Sequence, residues 1–218
     1  MTNLEQSSNH HFIAVEGPIG VGKTTLAKKL AQTLQGELLL EAAEENPFLE
    51  KFYQDPKSGA LPAQLYFLFQ RTQQLKSLIQ TDMFISNRVS DFLMEKDRLF
   101  ARVTLDKDEL NLYEQVYQNL TINAPTPDLV IYLQAPVDVL LKRIRKRGVQ
   151  MEFTITEEYL QQLSSAYTDF FHYYDASPLL IVNASGIDLI NNEEHYGQLL
   201  ERIADTTSGR HYFNPTVI

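Results

Sequence analysis

Residues 17–24 read Gly-Pro-Ile-Gly-Val-Gly-Lys-Thr and fit the pattern G-x-x-x-x-G-K-[ST]. No other stretch constrains the chain as much, because the pattern works only where a strand runs in and a helix runs out. Both flanks fit. Phe12-Ile-Ala-Val-Glu16 reads as a short buried strand, and residues 23–34 read as a helix with Leu26, Leu30 and Leu34 on one face. The glycines let successive backbone N–H groups turn inward onto phosphate oxygens. The helix start adds the positive end of its dipole. Lys23 is expected to reach the β and γ phosphates of ATP, and the Thr24 hydroxyl to ligate Mg²⁺. The seat then runs from Gly17 through Pro18, Ile19, Gly20, Val21, Gly22, Lys23 and Thr24 to Thr25.

The rest of the chain alternates in the same way. Further strands are expected at 37–41, 83–86, 129–133 and 179–182, five in all with the first. Helices are expected at 48–53, 61–79, 91–101, 106–120, from Val137 into the basic segment, at 157–174 and at 196–203, with 55–59 a loop. The strands are solid apolar runs, as required when both faces of a sheet are covered. The expected fold is α/β, a P-loop NTPase fold with a five-stranded parallel sheet flanked by helices and right-handed crossovers. The 218 residues suit one domain, with 1–11 and 206–218 as mobile tails and a helical lid over about 143–155.

A P-loop alone does not separate motors, switches, ATPases and small-molecule kinases. Motors and ATPases usually place an acid at the end of a buried strand, whereas the best-formed strand here ends Leu133-Gln134-Ala135-Pro136. A guanine-reading Asn-Lys-x-Asp is absent. The net charge of −9 disfavours broad binding to nucleic acid or membrane. It leaves room for a small anionic ligand if the basic residues are gathered, and five of the nineteen fall in 142–147. Such a cluster can clamp a phosphoryl group or simply be a solvated helix face. No apolar run approaches 18 residues, and the first eleven lack a signal-peptide pattern. The absence of cysteine excludes disulfides and thiolate metal sites and fits a cytoplasmic address.

Carboxylates supply the remaining candidates. Glu41 ends the second strand, where functional groups of a parallel sheet gather. There it could take the proton of an attacking hydroxyl, or be a solvated strand-end charge. Asp91 could hold Mg²⁺ through water or cap a helix. Glu44 and Glu45 read as helix-start charges. Tyr53, Gln64 and Asp97 are polar groups beside apolar ones, more often structural than functional. The five histidines lack metal-ligand spacing, and His10-His11 receives no role.

Taken together, five blocks resemble the bacterial deoxynucleoside kinases of the deoxyadenosine/deoxyguanosine kinase type. They are Val15 to Thr24; Leu40-Glu41 with Glu44-Glu-Asn-Pro-Phe48 and Phe52-Tyr53; Gln64-Leu-Tyr-Phe-Leu68 with Arg71; Lys96-Asp97-Arg98-Leu-Phe-Ala101; and Leu141-Lys-Arg143-Ile144 through Arg147-Gly148 and Glu152 to Glu158-Tyr159-Leu160. The resemblance implies transfer of the ATP γ-phosphoryl group to the 5′-hydroxyl of a deoxyribonucleoside, a purine by preference, by a homodimer. By motif match Glu41 is the general base, Tyr53 and Glu152 hold the 3′-hydroxyl, and Gln64 reads the base with Arg71 and Asp97 near. Arg143 and Arg147 are lid arginines on the phosphates. The chain departs from the family's acidic-Arg-Ser motif at Ser90-Asp91-Phe92, where the arginine is lost; Arg88 is a candidate replacement. Further departures are Ala42 and Val149, in place of a proline and a lid arginine. Gln70 rivals Gln64 as base reader. A thymidylate kinase-like monophosphate kinase and a catalytically silent nucleotide-binding subunit are the competing readings.

Overall fold

Strands apolar on both sides need helices on both faces, and the chain folds that way. The computed structural model describes residues 10–81, 87–120, 124–186 and 192–214, with side chains omitted at 77–81. Six parallel strands form one sheet in the order β2-β3-β1-β4-β5-β6. They are β1 (Phe12–Glu16), β2 (Glu37–Leu39), β3 (Arg88–Ser90), β4 (Leu129–Gln134), β5 (Leu179–Asn183) and β6 (Arg210–Phe213). Alternate residues of the central strands serve opposite layers. Ile13, Val15, Ile131 and Leu133 pack on Leu26 and Leu30 of α1 (Lys23–Thr33), Ile144 of α6 (Val137–Arg147) and Leu199 of α8 (Glu193–Asp205). Ala14, Val130 and Tyr132 face Leu99 of α4 (Lys96–Thr104) and Leu163, Tyr167 and Phe171 of α7 (Glu157–Tyr173). The Tyr132 and Phe171 rings stack 4.2 Å apart. A third cluster joins α3 (Pro56–Thr81) to α5 (Lys107–Leu120) through Leu68, Phe92 and Tyr113. A fourth joins α2 (Leu49–Gln54) to α3 through Phe52, Ala63 and Phe67. No helix among the described residues is long and apolar enough to cross a membrane.

The sheet has six strands rather than the expected five. The sixth comes from the segment expected to be a mobile tail: β6 pairs in register with β5, Leu179 to Arg210 and Val182 to Phe213. Only Phe213 of its four residues is buried, so Arg-His-Tyr-Phe offers no apolar run to detect. Residues 1–9 and 215–218 of the two expected tails lie outside the described residues. His10 and His11 are ordered by the fold. His10 is buried, its ring Nε2 donating to the Ile203 carbonyl at 3.2 Å, and the His11 N–H donates to Asp128 at 2.8 Å. The strand expected at 83–86 lies outside the described residues; the strand in the sheet there is β3, beginning at Arg88.

Of residues 55–59, expected to be a loop, 56–59 open α3 instead, with Asp55 just before it. Asp-Pro-Lys-Ser-Gly has turn composition, yet proline suits the first helical position because its missing N–H is not needed there. Asp55 accepts the Ser58 hydroxyl at 2.7 Å. Gly59 then has a packing reason, since a Cβ on it would lie 2.5 Å from the Phe52 backbone N and Cα. The bare backbone lets α2 and α3 touch.

Candidate active site

The carboxyl ends of β1, β2 and β3 open on one crevice. From β1 the chain moves to β2 and β3 on one side, then crosses to β4 on the other, and such reversals in strand order form ligand clefts. The P-loop leaves β1 at Gly17, where φ is +147° and a Cβ would sit 2.4 Å from the Leu133 carbonyl oxygen. Only glycine permits that approach to the end of β4. Lys23 Nζ donates to the Gly17 and Pro18 carbonyls at 2.8 and 3.3 Å. Burial, followed by repulsion from Lys96, lowers its pKa to about 8. The Thr24 hydroxyl donates to Asp91 Oδ2 at 2.5 Å, and Asp91 Oδ1 accepts the Glu41 N–H at 2.8 Å. Asp91 therefore caps no helix, since α4 begins only at Lys96. A hydroxyl beside a carboxylate is the oxygen donor set that suits Mg²⁺. Thr25 is exposed on the first turn of α1.

Across the crevice lies a cavity of ≈ 130 Å³ lined by Ile19, Gly20, Lys23, Thr24, Glu41, Tyr53, Gln64, Arg71, Asp91, Lys96, Arg147 and Glu152, with apolar neighbours Leu49, Phe67 and Phe100. Glu41 stands two residues past β2 and is held at both oxygens. Arg71 donates to Oε1, and Lys96 Nζ to Oε2 at 2.7 Å. Burial pushes the Glu41 pKa up, but the charges of Arg71 and then Lys96 outweigh it and hold the carboxyl at about 2. Glu41 is therefore ionised at neutral pH. Arg71 also pairs with Asp97, which is fully buried behind the guanidinium and off the cavity wall. Gln64 and Arg71 are seven residues apart on α3, two turns along one face, and both are buried at 3% and 2% exposure. Gln70 turns away from the cavity, donating to Glu45 at 3.3 Å and the Ala42 carbonyl at 3.5 Å. Burial, then the neighbouring Tyr159, Glu152 and Glu41, push the Tyr53 hydroxyl well above its ordinary pKa.

The lid segment contributes less than its charge suggests. Arg147, at the end of α6, binds Glu152 in the following 3₁₀ turn (Gln150–Thr154) through its Nε at 3.0 Å and Nη2 at 2.6 Å. Both line the cavity. Arg143 instead donates to the carbonyls of Val21 at 3.1 Å and Ala184 at 2.7 Å, so it braces the P-loop backbone. Lys142, Arg145 and Lys146 are exposed, as a solvated helix face would be. Arg88 does not replace the missing arginine. It starts β3 opposite Glu37, pairs with that carboxylate at 3.4 Å, and so sits at the end of the sheet away from the crevice.

Two functional-looking residues escaped the sequence reading. Glu16, the last residue of β1, is fully buried and accepts the Gly17 N–H at 2.9 Å, the Leu93 N–H at 2.8 Å and the Tyr167 hydroxyl at 2.9 Å. Lys96 lies 3.7 Å from it. The signal was an acid closing an otherwise apolar strand just before the P-loop. Lys96 itself carried no signal beyond its place beside Asp97.

Comparisons with known proteins fit this geometry. A family model described as deoxynucleoside kinase matches residues 13–208. A deoxyguanosine kinase of Bacillus subtilis (strain 168) is 36% identical over 200 residues, covering 88% of this chain and 94% of the relative. A deoxyadenosine/deoxycytidine kinase of the same organism is 30% identical over 208 residues, covering 89% and 94%. Among solved structures, a deoxyadenosine kinase from M. mycoides with bound dATP superposes with a TM-score of 0.76 at 31% identity, covering 88% of this chain and 100% of that one.

Proposed function

The chain belongs to the deoxynucleoside kinase family, and from that premise we propose that it carries the γ-phosphoryl group of ATP to the 5′-hydroxyl of a purine deoxyribonucleoside, with Glu41 as general base. The observation that carries this reading is that Glu41, ionised, shares one cavity with Lys23 on the phosphate side and with Tyr53, Gln64 and Glu152 on the other. The 5′-hydroxyl proton passes to Glu41. The 5′-oxygen bonds the γ-phosphorus as the bond to the β–γ bridging oxygen breaks, leaving ADP. Phosphoryl transfer has a loose transition state, so positioning and charge stabilisation dominate. Lys23 leaves the P-loop carbonyls for the phosphates, which restores a favourable partner to an ammonium depressed by burial. Thr24 and Asp91 would hold Mg²⁺, which offsets charge on the donor phosphates.

Tyr53 and Glu152 receive the 3′-hydroxyl, and Gln64 offers a donor and an acceptor side by side to the base edge. A cavity of ≈ 130 Å³ is well below the roughly 300–1,000 Å³ typical of ligand pockets. Binding therefore parts Arg147 from Glu152, freeing the arginine for the phosphates and the carboxylate for the sugar. We also propose a cytoplasmic location and a homodimer; light scattering of the purified chain tests the dimer directly, and cell fractionation tests the location. The activity is tested by a coupled assay with ATP against the four deoxynucleosides and the four monophosphates. Deoxyadenosine or deoxyguanosine should turn over fastest. Turnover of a monophosphate in preference to every nucleoside would overturn the reading.

A further inference from the structure

The missing arginine after Asp91 leaves a physical question: which cation faces Glu41 from the P-loop side? Phe92 fills the vacated place, 1% exposed, with its ring 5.9 Å from the Arg71 guanidinium. Lys96 reaches the same region from the first turn of α4. Its side chain is 4% exposed, and a buried ammonium is costly unless well paired. The pairing is Glu41 Oε2 at 2.7 Å and Glu16 Oε1 at 3.7 Å. Lys23 from the P-loop, Arg71 from α3, Asp91 after β3, and the paired Arg147 and Glu152 of the lid segment are the other charged groups lining this cavity with Glu41. Glu16 is itself immobilised by two backbone N–H groups and the Tyr167 hydroxyl. A continuous chain of contacts thus runs from α7 through Glu16 and Lys96 to Glu41.

The terminal torsion of a glutamate is broad, so one contact does not fix the plane of its carboxylate. Arg71 alone would leave that plane free, and Arg71 is shared with Asp97. A second contact at the other oxygen fixes it. A carboxylate has about four lone-pair sites, so two cations leave room for a hydroxyl. We propose that Lys96 is a positioning residue for phosphoryl transfer: seated against Glu16, its ammonium holds the Glu41 carboxylate in the orientation that receives the 5′-hydroxyl proton. This rests on Glu41 acting as the general base.

Lys96→Met keeps length and removes charge, and Lys96→Arg keeps charge. Lys96→Met should lower kcat about 30-fold or more while the KM values for nucleoside and ATP stay within about threefold, and Lys96→Arg should recover part of kcat. In a Glu41→Gln background, Lys96→Met should add little further loss, because both act on one group. Should Lys96→Met fail to fold, Lys96→Ala assayed with added propylamine replaces it, and kcat should rise with amine concentration. Unchanged kcat in Lys96→Met, losses that multiply in the double variant, or no recovery with the amine would overturn the inference. A Glu41→Gln enzyme at full kcat would instead overturn the general-base reading, so the two failures are separable.

Discussion

The two halves of the active site are built on different principles. The proposed phosphate seat is nine consecutive residues, 17–25, running from the end of one strand into the first turn of one helix, and its working parts are backbone groups and Lys23. The proposed nucleoside side is assembled from side chains on separate elements: Glu41 after β2, Tyr53 on α2, Gln64 and Arg71 on α3, Lys96 on α4 and Glu152 in the lid segment, with Asp97 of α4 behind Arg71. There the charged groups hold one another, Glu41 by Arg71 and Lys96, Arg71 by Asp97, and Glu152 by Arg147. A backbone-built seat presents the same donors to any triphosphate. A side-chain network can be retuned residue by residue, but removing one member leaves a buried charge without its partner.

That contrast can be tested from its strongest consequence downward. Lys23→Ala should reduce kcat by roughly 10³ or more, since it removes charge stabilisation worth several kcal/mol. Its melting temperature should stay near wild type, because among the described residues the hydrogen bonds of Lys23 go to P-loop carbonyls; a cooperative loss of fold would show that the two halves are not independent. Glu41→Gln should lower kcat by about 10²–10⁴ with nucleoside binding retained by calorimetry. It should also change acid stability. The Glu41 carboxyl is held at about 2 against an ordinary 4.5, so its contribution is full above pH 4.5 and is lost as pH falls through about 2. The melting-temperature gap between wild type and Glu41→Gln should close over that window, and a constant gap would contradict the pairing.

Smaller effects separate the parts of the nucleoside side. Gln64→Ala should cost about 1–3 kcal/mol in kcat/KM for the best nucleoside and flatten the ranking among bases; an unchanged ranking assigns base reading elsewhere. Tyr53→Phe and Glu152→Ala should raise the nucleoside KM, combine non-additively, and have no effect with a 2′,3′-dideoxy substrate. Arg88→Ala should leave kcat and KM unaltered, because Arg88 pairs with Glu37 at the far end of the sheet. A loss of activity there would mean that the crevice is felt through the full length of β3.

The same contrast explains what the sequence made legible. The P-loop was plain because its function depends on contiguous glycines and one lysine, and the flanking β1 and α1 folded as read. The alternation of apolar strands and amphipathic helices carried the α/β class. β6 was missed because a half-exposed edge strand has no apolar run. The first turn of α3 was missed because proline and glycine signal turns until a neighbouring helix gives them another reason. Among the polar residues, motif resemblance put Glu41, Tyr53, Gln64, Arg71 and Glu152 in one group, which spacing alone could not do. Arg143, tied to backbone carbonyls, and Lys96, gripping Glu41, differ only in where a long side chain reaches, and reach is a property of tertiary structure.

Gly59 gives the nucleoside side a setting that can be adjusted. It lies where α2, bearing Tyr53, rests on α3, bearing Gln64, and nothing larger than hydrogen fits between its Cα and Phe52. The two helices are the jaws of a caliper, and the missing methyl sets the gap between the proposed sugar and base contacts. Alanine at 59 would open the jaws without altering any of the side chains proposed to hold the nucleoside. A lineage could thus widen its range of bases by a change outside the cavity wall, and substrate range would drift while the phosphate chemistry stayed fixed.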